Sequence, residues 1–221
     1  MSAAESGAEP DRTEPDAPAV QRGSGDAALA GAIERGVSTA GLNLPDAPPV
    51  PTVPDTANLR LGAPLHDAHL ELLPLVGVWR GEGELVDPIT REVTPFGQQI
   101  TMAHDGRTFL RYESLTWKLD AGSTPLDREL GWWRPQHDGR IELLIARADG
   151  VVEVFYGRAT ALTVWNLSTD AVIRTMTAPD IVGATRLYGV VEGKLAYVEE
   201  QAGDGYELQP RISALLDRVI G

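Results

Sequence analysis

The chain has 221 residues, a net charge of −13 and no cysteine. That length holds one domain with a tail, or two small domains. The missing cysteines exclude a disulfide framework and a thiolate metal site, the charge argues against nucleic acid as a partner because phosphate repels an acidic surface, and no apolar run approaches the ~18 residues of a membrane span. The N-terminus is acidic and polar rather than basic and then apolar, so no secretory leader is read and a cytoplasmic location is expected.

Residues 1–57 differ in texture from the rest. Half of the 16 prolines lie in residues 1–60, and no aromatic residue precedes Trp79. Such a segment cannot bury enough apolar surface to offset its ordering entropy, so a disordered tail and linker are expected, with residues 58–221 forming the folded domain. Within the tail, Asp26 to Arg35 has the pattern of a short helix with Asp26 as N-cap. Asn43 to Pro54 reads as an extended proline-rich linker. Leu65 to Pro74 reads as a brief helix that ends before the proline and carries His66 and His69 on one face. Two histidines without a third ligand are a weak metal signal, and solvated or capping roles are expected for them.

From Leu75 onward the pattern is that of strands. In Leu75 to Leu85, Gly77, Trp79, Gly81 and Gly83 share one face, while Arg80, Glu82 and Glu84 share the other. One large ring among glycines suits the inner wall of a small curved barrel, either as core or against a ligand. Thr94–His104, Thr108–Leu119 and Arg128–Arg134 follow as strands. Asp138-Gly139 and Asp149-Gly150 are hairpin signals around Ile141–Ala146 and Val151–Tyr156. Ala161–Leu167, Val182–Val191 and Leu195–Glu200 come next, the last two joined at Glu192-Gly193. Leu208–Val219 closes the series as a strand, although Leu215-Leu216 also suits a terminal helix. Short connections force antiparallel neighbours. The expected fold is all-β: an up-and-down barrel of about ten strands, which has room for one small ligand.

Nucleophile elbows, phosphate loops, zinc spacings and dinucleotide fingerprints are missing from the sequence. His104, at a strand end before a turn, reads as a surface histidine. Asp180, Glu192, Glu199 and Glu200 show no pairing logic. On these residues alone the chain is a barrel with a candidate apolar cavity.

Gly77-Val78-Trp79-Arg80-Gly81-Glu82-Gly83 resembles the G-x-W-x-G-x-G motif of the nitrobindin family. Ala103–Gly106 resembles that family's turn after the second strand, Glu129–Arg134 its E-x-G-aromatic-x-R strand, and Glu142–Gly157 its central hairpin. The likeness runs from about Leu65 to Val219. It implies a barrel akin to fatty-acid-binding proteins, with heme b as cofactor and peroxynitrite isomerisation as activity. The family holds ferric heme through a histidine near the C-terminus, in a pattern like L-x-x-H-L-x-A-x-L. Here that stretch reads Leu208-Gln209-Pro210-Arg211-Ile212-Ser213-Ala214-Leu215-Leu216, with Arg211 at the histidine's place. The family's A-K-x-V lysine is also replaced, by Pro179. A guanidinium stays protonated and has no lone pair for iron. The resemblance therefore implies a nitrobindin-like barrel with no heme, no metal and no catalysis, carrying a small apolar or anionic ligand or none. Arg211 either faces solvent at the rim or points inward, where it needs an anion or an acid such as Glu153 or Asp217. Two other readings compete: a heme-bound peroxynitrite isomerase with Tyr206 as axial ligand, and an interaction module whose acidic tail recruits a partner. The sequence leaves the oligomeric state open.

Overall fold

A computed structural model describes residues 24–43 and 50–221, in two compact units divided between Pro51 and Thr52. The first unit is a helix, α1 (Ser24–Ser38), followed by a 3-10 turn over Ala40–Asn43. α1 begins two residues before the start expected from the sequence, so Asp26 lies within its first turn and not at the N-cap. Most of the expected tail and linker, residues 1–23 and 44–49, lies outside the described residues.

The second unit is a closed antiparallel barrel of ten strands in meander order. They are β1 (Gly77–Val86), β2 (Val93–Ala103), β3 (Leu110–Lys118), β4 (Pro125–Pro135), β5 (Ile141–Arg147), β6 (Val151–Ala161), β7 (Val164–Arg174), β8 (Ile181–Val191), β9 (Lys194–Gly203) and β10 (Tyr206–Ile220). β10 pairs with both β9 and β1, which closes the ring and settles the terminal segment as a strand. Closure leaves no free sheet edge. One strand is displaced from its expected place: the residues expected as Ala161–Leu167 hold the β6–β7 turn, and β7 continues to Arg174. Its second half alternates too weakly in polarity to read as a strand. The Glu192-Gly193 hairpin has φ of 52° and 77° at its two residues, the left-handed pair that a tight two-residue turn needs.

The expected helix at Leu65–Pro74 takes the form of two 3-10 turns, Asp67–His69 and Leu73–Leu75. They plug one end of the barrel. Leu72, Leu75 and Val76 are fully buried there. The Trp79 indole donates to Leu75 O at 2.8 Å, and that of Trp165 to Glu71 O at 3.2 Å. From β10 the Arg218 guanidinium lies 4.2 Å over the Trp79 ring and donates to Pro74 O at 2.6 Å. Trp79 is thus core, tied to the plug.

The β1 glycines serve close strand approach. A Cβ at Gly81 would meet the Leu215 carbonyl oxygen of β10, and one at Gly83 the carbonyl of Ser213. Only glycine lets the two backbones pass that closely on the inner side of a tightly curved wall.

Candidate functional site

Because neighbouring strands run antiparallel, the barrel has two unlike ends. The plugged end gathers the start of β1, the end of β2 and the end of β10. All four histidines belong to elements or turns at this end. His66 accepts from the Ala68 N–H at 3.1 Å, a capping role. His69 and His104 are buried, with both ring nitrogens of each lacking a hydrogen-bond partner. Burial lowers the pKa of both rings. The expectation of a surface His104 fails because residues 55–56 fold back over it. Thr56 exchanges backbone hydrogen bonds with His104 at 2.8 and 2.9 Å.

The other end is the mouth, and beneath it the interior turns polar. Arg186 of β8 is 1% exposed and grips Glu129 of β4 at both oxygens, at 3.0 and 2.7 Å. The Tyr112 hydroxyl donates to the same carboxylate at 2.8 Å. Burial would lift Glu129's pKa, but Arg186 outweighs it and holds the group at about 2. Arg186 also lies 2.7 Å from Glu199 Oε2, an ion pair without hydrogen-bond geometry, and 3.9 Å from Glu153. Glu153 is fully buried and neither of its oxygens has a hydrogen-bond partner. Burial is the main cause of its pKa rising to about 7, with Glu199 adding to the rise and Arg186 opposing it.

Nearer the mouth, Arg147 at the end of β5 is 2.7 Å from Asp149 and 3.7 Å from Asp127. Arg211 sits at a register shift in the β10–β9 ladder between Pro210 and Ile212. Such a bulge re-aims a side chain. Arg211 is half-buried and donates from Nη1 to Glu199 Oε1 at 2.9 Å. Of the two outcomes open to it in the sequence, the inward one is realised, and its acid is Glu199. Asp217 pairs instead with Lys194. A cavity of about 180 Å³ occupies the mouth, lined by Arg147, Arg211, Asp127, Asp149, Phe96 and Tyr197 among others. The motif residues Gly77 and Trp79 lie far along β1 from this mouth; Gly81 and Gly83 let β10 approach β1, and Gly83 also lines an apolar groove of about 510 Å³ beside β8, β9 and β10.

Sequence reasoning missed Arg186, Arg147 and the inner role of Glu199. A signal was available. Arg186 alternates with the apolar Ala184 and Tyr188, and Glu199 with Tyr197 and Gln201, so each occupies an inward position of its strand.

Residues 68–218 match the family described as THAP4-like, heme-binding beta-barrel domain. The chain belongs to the nitrobindin family. A ferric nitrobindin-like protein of Saccharopolyspora erythraea is 54% identical over 205 residues, covering 91% of this chain and 97% of that relative. A protein of Rhodococcus jostii named peroxynitrite isomerase 2 is 50% identical over 214 residues, covering 91% and 100%. The crystal structure of Rv2717c from M. tuberculosis superposes on this nitrobindin barrel with a TM-score of 0.64 at 29% identity, covering 70% of this chain and 98% of that one. Among the described residues, no helix is long and apolar enough to cross a membrane.

Proposed function

We propose that this nitrobindin barrel works without heme, as a non-catalytic carrier of a small ligand taken up near its mouth. One observation carries the reading: Arg211, at the place where the family resemblance puts the heme-ligating histidine, donates to Glu199 at 2.9 Å. A side chain with no lone pair to offer iron is committed to a carboxylate partner. The mouth cavity, at about 180 Å³, is below the ~300 Å³ at which small-molecule pockets usually begin, and charged side chains line it. The histidines belong to the opposite end of the barrel. These side chains do not fit an iron porphyrin. Because Glu199 already neutralises Arg211, the reading favours an apolar ligand over an anionic one. A cytoplasmic location is part of the proposal, in keeping with a chain that has no cysteine.

The competing reading is a heme enzyme with Tyr206 as axial ligand, and it draws on relatives named peroxynitrite isomerase. Against it, the Tyr206 hydroxyl donates to Gln201 Oε1 at 3.0 Å. Burial also raises the phenol's pKa, which works against the phenolate that iron would need.

Titration with ferric hemin, followed in the Soret band, separates the two. The wild type should give a shallow, non-saturating change, and Arg211→His should gain a defined one-to-one complex. A saturable wild-type complex lost in Tyr206→Phe would establish the heme enzyme instead.

A further inference from the structure

The β3–β4 ladder is broken near the mouth. Thr116 pairs with Asp127, but the next pair is Trp117 with Pro125, so Leu126 is left without a partner. Bulges of this kind concentrate at barrel rims and beside binding sites. Outside the break lies a groove of about 440 Å³, lined by Leu115, Trp117, Pro125, Leu126 and Ala148. Inside it lies the mouth cavity. Thr116, Leu126 and Asp127 line both spaces, so the two adjoin through the interrupted wall. Trp117 is set flat against the barrel by Gly97 of β2, where any Cβ would run into the indole.

On the inner side stands Arg147, whose side chain is only 2% exposed. Its Nη2 is taken by Asp149, but its Nε and Nη1 have no acceptor. Buried donors left unsatisfied are costly, and an acceptor supplied to them is favourable. The charge around Arg147 is already balanced by Asp149 and Asp127, and that of Arg211 by Glu199. A carboxylate head would meet two acids, and an ammonium head two guanidiniums. A neutral oxygen acceptor meets neither difficulty.

We propose that this break in the wall is a lateral binding site for a small uncharged amphiphile, with its flat apolar body against Trp117 and its carbonyl-type oxygen on Arg147. The proposal names the ligand class of the carrier reading and rests on it. A mostly apolar concavity with a few placed polar groups is the usual form of a small-molecule site.

The probe is 6-propionyl-2-dimethylaminonaphthalene, a neutral naphthyl ketone whose emission shifts to the blue in apolar surroundings. It is added to the full chain and compared with the anionic 1-anilinonaphthalene-8-sulfonate. The ketone should bind saturably at one site, with the sulfonate weaker by about tenfold or more. Trp117→Ala should weaken the ketone about tenfold through loss of the aromatic contact. Ala148→Trp, at an exposed position, should fill the groove and abolish binding. Unchanged circular dichroism and melting confirm that both variants fold. Absence of ketone binding, sulfonate binding of equal strength, or ketone binding that neither variant alters would each overturn the lateral site. The hemin titration is independent. A protein that takes up hemin one-to-one, yet binds the ketone through Trp117, loses the heme-free reading and keeps the lateral site.

Discussion

Glu199 Oε1 accepts a hydrogen bond from Arg211 Nη1 at 2.9 Å, while its other oxygen lies 2.7 Å from Arg186. One carboxylate thus links Arg211 near the mouth to the buried centre of the barrel. The two ends of this link differ in burial: Glu199 is 1% exposed, whereas the Arg211 side chain keeps 15% of its surface.

That asymmetry sets the first prediction. Removing one partner of a buried ion pair strands the other and costs about 3–5 kcal/mol, while a pair near solvent contributes about 1 kcal/mol or less. Glu199→Gln leaves Arg186 short of one of its acids and should cost about 3 kcal/mol in urea unfolding. Arg211→Gln, in the half-buried partner nearer the mouth, should cost about 1 kcal/mol. Equal losses for the two variants would mean that Arg211 is as deeply committed as Arg186.

Glu153 gives a prediction in pH. Its folded pKa is raised from 4.5 to about 7, first by burial. The folded state therefore keeps a proton that the unfolded chain releases. The sign follows: this contribution to stability is fully present below pH 4.5 and is lost as pH rises through 7. Its size is on the order of 3 kcal/mol. Glu153→Gln keeps the neutral form at every pH. Its unfolding free energy relative to wild type should therefore climb between pH 4.5 and about 7 and level off above. A difference that stays flat across that range would place the proton elsewhere among Glu129, Glu153 and Glu199. Glu129 acts in the opposite sense, because Arg186 holds its carboxylate ionised down to about 2. Its stabilisation is full above about pH 4.5 and is lost progressively as pH falls from there through about 2.

The barrel itself was legible because alternation and turn chemistry are local signals. The G-x-W-x-G-x-G stretch, the Asp-Gly turns and the Glu192-Gly193 hairpin each fixed a strand or its end. The site was less legible because its chemistry lies in pairings across strands. Nothing near Arg186 in sequence names Glu129, 57 residues away. Glu199 looked unpaired for the same reason. His104 was misplaced because its cover comes from Thr56, which lies in a stretch without aromatics that reads as linker. Arg211 was singled out by family likeness, but its inward aim depends on a bulge that Pro210 and Ile212 do not announce.

The fold-back of residues 55–56 supports a last prediction. Thr56 makes two backbone hydrogen bonds to His104, and Asp55 lies 2.7 Å from Arg111 of β3. These residues sit in the barrel's unit, which begins at Thr52. Deleting residues 1–51 should leave the melting temperature of the barrel unchanged, because that unit keeps its whole core. Deleting 1–57 removes the strap and opens water to His104, whose buried neutral ring can then take a proton. Loss of two backbone hydrogen bonds and a half-exposed ion pair amounts to about 1–2 kcal/mol, or roughly 3–6 °C for a barrel of this size. The drop should shrink below about pH 6.5, because there the strapped barrel loses stability by keeping His104 neutral while the truncated one can protonate it. Scanning calorimetry of the two truncations at pH 5.5 and 7.5 checks both points. Identical melting of the two truncations at both pH values would show that the strap adds nothing to the barrel's stability.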